Sequence, residues 1–306
     1  QLRPWDVNEK GGSGPDILGR EPLRPFKNVD EMVTGLSEMF HEISHDLGVK
    51  FDRLVEMDTL DLDTRKGKAP GGYQYYLEKS RIPFIFMNSA GLQGDLETMI
   101  HEAGHAFHSL YCGHLELIDE RSYPIEFAEV ASMSMELLTQ PWWDKFYDSE
   151  EVDRARKSHL EGVIFLLPWI ATIDSFQHWI YANPNHSRQE RAEVWQSIRD
   201  RFGSEMDWTG YSDFREVSWQ QQSHLFSVPF YYIEYGIAQL GSLQLWKTQM
   251  SDPQKALDDY AKAMSLGNTK TLPELFLAAD IKLEFHESHF QMLMSSVEEA
   301  LTDSHS

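Results

Sequence analysis

The sequence predicts a mainly α-helical protein with a small β-sheet directly before a helix that carries an H-E-x-x-H motif. Apolar residues recur at helical spacing along most of the 306-residue chain, whereas strand-forming aromatic and β-branched residues concentrate at 73–77 and 82–87. Glycine and proline separate the helical segments, and no low-complexity linker divides them. We therefore predict one domain over residues 1–306.

The elements before the motif are expected in the following order. Residues 1–27 contain GGSGPD and several prolines, a composition that favours an extended lead-in. Asn28 can cap a helix whose apolar periodicity continues to Gly48, where we expect the helix to end. Leucine alternates with aspartate at 60–63, which indicates a short strand. Together with the two aromatic-rich segments, these elements predict one helix and a small sheet over 28–94.

Helical periodicity dominates the remainder of the chain, from 95 to 306. After the motif helix, the helices are predicted over 122–147, 150–182, 187–202, 212–221, 229–250, 253–265, 272–278 and 286–301.

Charge and composition exclude several classes of protein. With 27 basic and 49 acidic residues the formal charge is -22, which argues against nucleic acid or an anionic membrane as a partner. No run of eighteen apolar residues occurs, so we predict no membrane span. Cys112 is the only cysteine, which favours a reducing, cytoplasmic location. The start, QLRPWDV, lacks the pattern of a signal peptide, so we expect a chain that begins within a longer protein or after processing.

The segment DLETMIHEAGHAFHSL at 95–110 carries the chemistry. His101 and His105 are four residues apart, so on a helix both imidazoles face the same side and can reach one metal ion. Glu102 lies beside them, where in zinc peptidases of this pattern the glutamate is general base toward a metal-bound water. The alternative is a surface helix with two histidines, but the uncharged residues that flank the motif favour a buried helix.

A third metal ligand is expected between 123 and 138, in YPIEFAEVASMSMELL. Glu126, Glu129 and Glu136 fall near one face of a helix among apolar neighbours, and buried carboxylates need a partner such as zinc. Spacing alone does not choose among the three, and a salt-bridged helix face remains the alternative.

Seven motifs occur in a fixed order along the chain: TRKGKAPGGY, FIFMNSAG, HEAGHAFHS, FAEVASMSMELL, FQHWIYANP, HLFSVPFYYIEYG and GNTKTLPELF. Together they resemble the thimet oligopeptidase and oligoendopeptidase F family of zinc metallopeptidases, closest to the oligoendopeptidase F branch. The resemblance implies a zincin-like helical catalytic domain with one Zn²⁺ per chain. Position by position, it implies His101, His105 and Glu129 as ligands and Glu102 as general base.

The same resemblance implies that His224, Tyr232 and Tyr235 bind the carbonyl oxygen of the substrate in its tetrahedral state. Imidazole and phenol groups can stabilise the negative charge that develops there. Tyr231 is a reserve candidate, because the interval after His224 can need a one-residue gap. The alternative for these residues is burial in an aromatic core.

Four further residues have weaker assignments. Glu126 and Glu136 are candidates to orient the ligands, and His108, three residues after His105, is interpreted as a packing or supporting histidine. Asp280 stands where the family has a glycine, which predicts an altered local turn.

We therefore predict a zinc metalloendopeptidase domain that cleaves internal bonds of short unstructured peptides, which an exposed edge of the small sheet could hold. Full-length family members also have an N-terminal helical region that walls a channel over the site, and it has no counterpart in this sequence. A missing N-terminal region or a partner chain would complete that channel. The alternatives are a zinc carboxypeptidase on a similar scaffold and a non-catalytic peptide-binding fragment or subunit.

Overall fold

The structure is a computed structural model that describes residues 2–6 and 18–302. Those residues are mainly helical with one three-stranded sheet, so the predicted fold class is confirmed. The strands are β1 (Leu60–Asp63), β2 (Tyr73–Leu77) and β3 (Ile82–Ser89). The helices are α1 (Val29–Ile43), α2 (His45–Glu56), α3 (Gln93–Cys112), α4 (Ile118–Arg121), α5 (Ile125–Leu138), α6 (Ser149–Ala182), α7 (Arg188–Phe202), α8 (Ser212–Val217), α9 (His224–Ser227), α10 (Tyr232–Ser251), α11 (Pro253–Met264), α12 (Leu272–Ala278) and α13 (Glu287–Thr302).

The chain divides into two compact units. The first unit consists of residues 1–21 and 157–236, and the second of residues 22–156 and 237–306. Helices α6 and α10 each begin in one unit and continue into the other. Of the predicted lead-in at 1–27, residues 7–17 lie outside the described part, and residues 18–27 contain neither helix nor strand.

The region before α3 differs from the prediction of one helix that ends at Gly48. It contains two helices, because Ser44 has extended backbone (φ −162°) and both ends α1 and caps α2, its side chain accepting from the Asp46 amide. Gly48 lies inside α2, where an added Cβ would collide with the His41 ring. Close packing between the two helices therefore requires this glycine, and it does not end a helix.

The small sheet has the strand order β1-β3-β2, with β1 parallel and β2 antiparallel to β3. Both aromatic-rich strands and the short strand at 60–63 form as predicted. Ile82, Ile85 and Met87 are buried along β3, whereas Tyr73, Tyr75 and Leu77 of β2 are exposed. The strand β2 is thus an edge strand, and the sheet leads directly into α3.

Three predicted helices are shorter in the structure, and the one predicted over 212–221 gives way after Val217 to a 3-10 helix, Ser218–Gln221. The helix predicted to reach 147 ends at Leu138 and gives way to a 3-10 helix, Gln140–Lys145, because Pro141 has no amide hydrogen for an α-helical bond. The helix predicted from 229 begins at Tyr232, because Phe230 has a left-handed backbone (φ 60°). Helices α4 and α9, of four residues each, were not predicted.

Helices α3 and α5 cross in the core of the second unit. At the crossing an added Cβ on Gly104 would lie 2.6 Å from Ser132 Cα and 2.8 Å from the Ala131 carbonyl oxygen. The hydroxyl of Tyr260 on α11 reaches both backbones, 3.4 Å from the Gly104 oxygen and 3.3 Å from the Ala131 oxygen. The apolar residues that flank H-E-x-x-H are buried, as a core helix requires.

The core of the first unit forms around α6. Trp169, Ile170, Ile173 and Phe176 are buried there and pack with Trp195 of α7. By length and composition alone, α6 could cross a membrane, although no span was predicted from the sequence. Core helices pass the same test, and the burial of these four side chains is what a core helix shows.

Asp280 occupies a left-handed position after α12, with φ 54°. The Ile281 amide donates to the Phe276 carbonyl oxygen at 3.0 Å and the Asp280 amide to the Leu277 oxygen at 3.1 Å, which is the Schellman pattern of helix ends. This backbone is the one that glycine favours, and Asp280 adopts it while forming an ion pair with Lys255 at 2.6 Å.

Candidate active site

Three predicted metal ligands converge where α3 crosses α5. The rings of His101 and His105 lie on adjacent turns of α3, 4.9 Å apart and nearly perpendicular. Glu129 of α5 directs Oε2 to a point 3.3 Å from His101 Nε2 and 3.6 Å from His105 Nε2. The ligating atoms of the three side chains all lie within 4.8 Å of one another.

This group fits a zinc ion. Zinc bonds to imidazole nitrogen and carboxylate oxygen are about 2.0–2.2 Å long, so the ligand atoms of a tetrahedral site lie roughly 3.3–3.6 Å apart. The distances from Glu129 to the two histidines match that spacing. Two histidines and one carboxylate form a donor set of catalytic zinc, in which a fourth position stays open.

Neighbouring groups orient both histidines on the metal position. His101 Nδ1 lies 2.6 Å from Glu136 Oε1, so a proton on Nδ1 leaves the Nε2 lone pair directed to the metal position. Burial opposes the charged form of His101, but hydrogen bonds with Glu129 and Glu136 raise its pKa above the ordinary value. Burial lowers the pKa of His105 to about 4, although the negative charge of Glu129 acts to raise it, so His105 is neutral at pH 7. Its ring also bonds the backbone of Ala128.

Glu102 of α3 is buried and contacts the backbone of β2. The side chain is 6% exposed, and it accepts a hydrogen bond from the backbone amide of Gln74 on β2. Its second oxygen, Oε2, is buried and has no hydrogen-bond partner among the described residues. Burial raises the pKa of Glu102 to about 7, a value at which a carboxylate can both take and return a proton near neutral pH.

The weaker candidates have distinct positions. Glu126 lies half-buried in the first turn of α5 and is not among the three clustered ligands, whereas Glu136 bonds His101. His108 is fully buried and stacks on the ring of Tyr123, with centroids 3.4 Å apart and planes within 10°. Burial lowers the pKa of His108, so it packs as a neutral ring.

The predicted carbonyl-binding residues form a second group, in the first unit. The ring of His224 lies 5.1 Å from that of Tyr232 and 5.9 Å from that of Tyr235. Tyr231, the reserve candidate, is also a neighbour, with its ring 5.7 Å from His224. Tyr232 is 7% exposed and packs in the core, and burial raises its pKa to about 12. Tyr231 and Tyr235 are both only half-buried.

Sequence reasoning did not find several groups that support these residues. The Gln74 amide and the side chains of Trp169 and Gln222 contact the candidates and lie outside every motif named above. Ala128 lies in FAEVASMSMELL but contacts His105 only through its backbone. Backbone groups carry no residue-specific signal, and an isolated glutamine carries almost none. Glu136 did have a signal, because it lies seven residues, two helical turns, after Glu129.

Comparisons with known proteins find similar peptidases. The model of peptidase family M3 matches residues 1–294. Oligopeptidase PepF of Bacillus subtilis (strain 168) is 23% identical over 247 residues, which are 79% of this chain and 36% of that protein. Oligoendopeptidase F, chromosomal, of Lactococcus lactis subsp. cremoris is 27% identical over 134 residues, 42% of this chain and 22% of that protein.

Among solved structures, PZ peptidase A with inhibitor 2 is 33% identical, with a TM-score of 0.87 over 94% of this chain and 51% of that chain. This chain therefore spans about half the length of that structure and about a third of the Bacillus protein. The family match over nearly the whole chain confirms the resemblance that the motifs predicted, and the chain belongs to peptidase family M3.

Proposed function

We propose that the chain is the catalytic part of a zinc metallopeptidase that hydrolyses internal bonds of short unstructured peptides. One observation carries the proposal. A carboxylate oxygen of Glu102 is buried without a partner among the described residues, and the charges of His101 and Glu129, two of the three convergent ligands, act on the pKa of this carboxyl group. A buried carboxylate without a partner is costly, and a water molecule between it and a metal would satisfy it.

The residues of the chain divide the work of hydrolysis. Zinc, when bound, supplies a Lewis acid that polarises the scissile carbonyl and makes water more acidic. Glu102 takes a proton from the attacking water and later delivers it to the leaving amine, for which a pKa of about 7 is suited. Glu136 keeps His101 oriented through the bond to Nδ1.

The edge strand β2 supports an extended peptide as substrate. The backbone amide of Gln74 bonds Glu102, so this amide faces the catalytic side and not β3. Alternate residues of a strand direct their amides to the same side, so the Tyr76 amide points along the same edge. A peptide could add to this edge as a further strand, through backbone bonds that require no particular side chain.

His224, Tyr232 and Tyr235 are proposed to bind the carbonyl oxygen as negative charge develops on it. Their rings form one cluster in the first unit, which supports a shared role. Donors of this kind act chiefly in the transition state. Further polypeptide, either an N-terminal region or a partner chain, is proposed to complete the channel, in keeping with the greater length of the relatives.

The proposal is tested with Glu102→Gln on zinc-loaded protein and an internally quenched peptide blocked at both ends. Turnover should fall by about 10²–10⁴-fold while zinc content is unchanged, because the base is lost and the ligands remain. Glu38→Gln, the same change on the exposed face of α1, should have no effect. Normal turnover by Glu102→Gln would refute the role of this residue.

The same assay separates the two alternatives. A carboxypeptidase would leave the doubly blocked peptide intact but cleave one with a free carboxyl terminus. A peptide-binding subunit would bind zinc and the peptide without turnover, both alone and with the remaining polypeptide supplied.

A further inference from the structure

The side-chain amide of Gln222 lies between two rings of the first unit. Its Oε1 is 3.1 Å from the indole Nε1 of Trp169, and its Nε2 is 2.6 Å from Nδ1 of His224. Trp169 is 3% exposed and Gln222 8% exposed, so water cannot easily replace either bond. The contact therefore joins the core helix α6 to the imidazole of a candidate catalytic residue.

The direction of both hydrogen bonds follows from the chemistry of tryptophan. An indole N–H can only donate, so the amide atom that faces it must be the oxygen. The amide NH₂ group then faces His224 and donates to Nδ1. In the flipped orientation, the amide NH₂ would face the indole N–H of Trp169, and neither group can accept. This unfavourable contact settles the orientation of the amide, which is otherwise ambiguous.

The form of His224 follows in turn. A nitrogen that accepts a hydrogen bond carries no proton, so His224 is neutral and its hydrogen is on Nε2. Nε2 points toward the hydroxyl of Tyr235, 3.5 Å away. The indole of Trp169 also bonds the hydroxyl of Tyr232, so both tyrosines of the cluster connect to the same network.

We infer that Gln222, anchored by Trp169, is a positioning residue that holds His224 as the Nε2–H tautomer, so that Nε2 donates toward the substrate carbonyl. The inference rests on the proposed function for its purpose, because only a donor on that side could stabilise an oxyanion. The tautomer itself is a property of the protein without substrate. It can therefore be measured whether or not the chain is a peptidase.

The test is two-bond ¹H–¹⁵N correlation spectroscopy of the histidines in the intact chain, with His224→Gln to assign the signal of His224. We expect an acceptor-type Nδ1 and a protonated Nε2 in the wild type. In Gln222→Met, of similar length but without the amide, His224 should show a mixture of tautomers. In Gln222→Glu, a carboxylate that still accepts from Trp169 should draw the proton to Nδ1.

Gln220→Glu, an exposed neighbour with the same change of charge, should leave the His224 signal unchanged. Unfolding temperatures identify variants that fail to fold, and Gln222→Glu, which keeps the acceptor for Trp169, tests the inference if Gln222→Met does not fold. A wild-type His224 protonated on Nδ1, or a folded Gln222→Glu with the wild-type signal, overturns the inference.

Turnover measurements separate this inference from the proposed function. For an active peptidase, Gln222→Met should lower kcat by on the order of ten- to a hundred-fold, with little change in zinc content. A tautomer shift in a protein that shows no activity even with the remaining polypeptide supplied supports the positioning role and overturns the function. Full activity in a variant whose tautomer has changed overturns the positioning role and leaves the function standing.

Discussion

Gly104→Ala tests whether the contact between α3 and α5 sets both stability and the metal site. The new Cβ would lie 2.6 Å from Ser132 Cα and 2.8 Å from the Ala131 oxygen, both backbone atoms that cannot rotate away. Carbon atoms pack at about 3.5–4.0 Å, so the two helices would have to separate by roughly 1 Å. That movement would also lengthen the hydrogen bonds from the Tyr260 hydroxyl to the Gly104 and Ala131 carbonyl oxygens.

The expected cost follows from two opposing effects. Overpacking of a core costs about 1–3 kcal/mol, and the rigid backbone on the far side favours the upper end. Alanine has a higher helix propensity than glycine by about 1 kcal/mol, which offsets part of this cost. The net loss of about 2 kcal/mol corresponds to a decrease in Tm of roughly 3 °C, because a chain of 306 residues has a large unfolding entropy.

The same movement should weaken zinc binding. His101 and His105 are on α3 and Glu129 is on α5, with 3.3 Å and 3.6 Å between the carboxylate oxygen and the two nitrogens. A metal site tolerates changes of about 0.2 Å in its distances, far less than the expected separation. We expect the zinc affinity to fall by on the order of 10–100-fold, as for other losses of ligand orientation.

The assays are thermal unfolding and competition for zinc with a chromophoric chelator. Gly94→Ala is the matched control, because Gly94 lies in the same helix and its added Cβ would meet no atom within 4 Å. It should raise stability by about 0.5–1 kcal/mol and leave zinc affinity unchanged. If Gly104→Ala behaves like this control in both assays, the helix crossing does not constrain the site as argued.

Three further predictions concern single side chains. Glu136→Ala should weaken zinc binding by about 10–100-fold, because His101 loses the partner of its Nδ1. Competition with a chelator measures the affinity, and an unchanged value would contradict the role of Glu136 in orienting His101. Asp280→Gly should raise the unfolding free energy by up to about 1 kcal/mol in urea titrations, because glycine adopts φ 54° without strain. The ion pair with Lys255 that is lost is exposed and contributes little. A clear loss of stability would show that the ion pair contributes more than the backbone strain costs. In metal-free protein, the pKa of Glu102 is raised from 4.5 to about 7, so the folded state binds the extra proton and stability should fall as pH rises across that window. The measurement is Tm as a function of pH, and Glu102→Gln should lose the decrease that occurs between pH 4.5 and about 7. If the two proteins show the same dependence of Tm on pH, Glu102 is not its source.

Local patterns predicted most of the secondary structure. Alternation and aromatic content located β2 and β3, and helical periodicity located the long helices, because these signals depend on which side of an element is buried. The break at Ser44 and the late start of α10 were missed. Both depend on one residue that leaves the helical backbone, Ser44 in one case and Phe230 in the other, and periodicity is insensitive to a single residue.

For the candidate site too, local patterns predicted some residues and left others undecided. Four-residue spacing placed His101 and His105 on one side of a helix, since the pitch of an α-helix brings such residues together wherever the helix lies. The choice of Glu129 over Glu126 and Glu136 came from the family resemblance, and in the structure it is the Glu129 carboxylate that lies beside both imidazoles.

By itself, therefore, the sequence determined the fold class, the family and the residues of the helix that carries H-E-x-x-H, since these depend on contacts between near neighbours or on ordered motifs. The tertiary structure decided which glutamate faces both histidines, that Glu136 holds His101 and that Gln222 faces His224. Such contacts depend on the angle and separation at which helices cross. Close packing at positions such as Gly104 sets that geometry, and no local pattern encodes it.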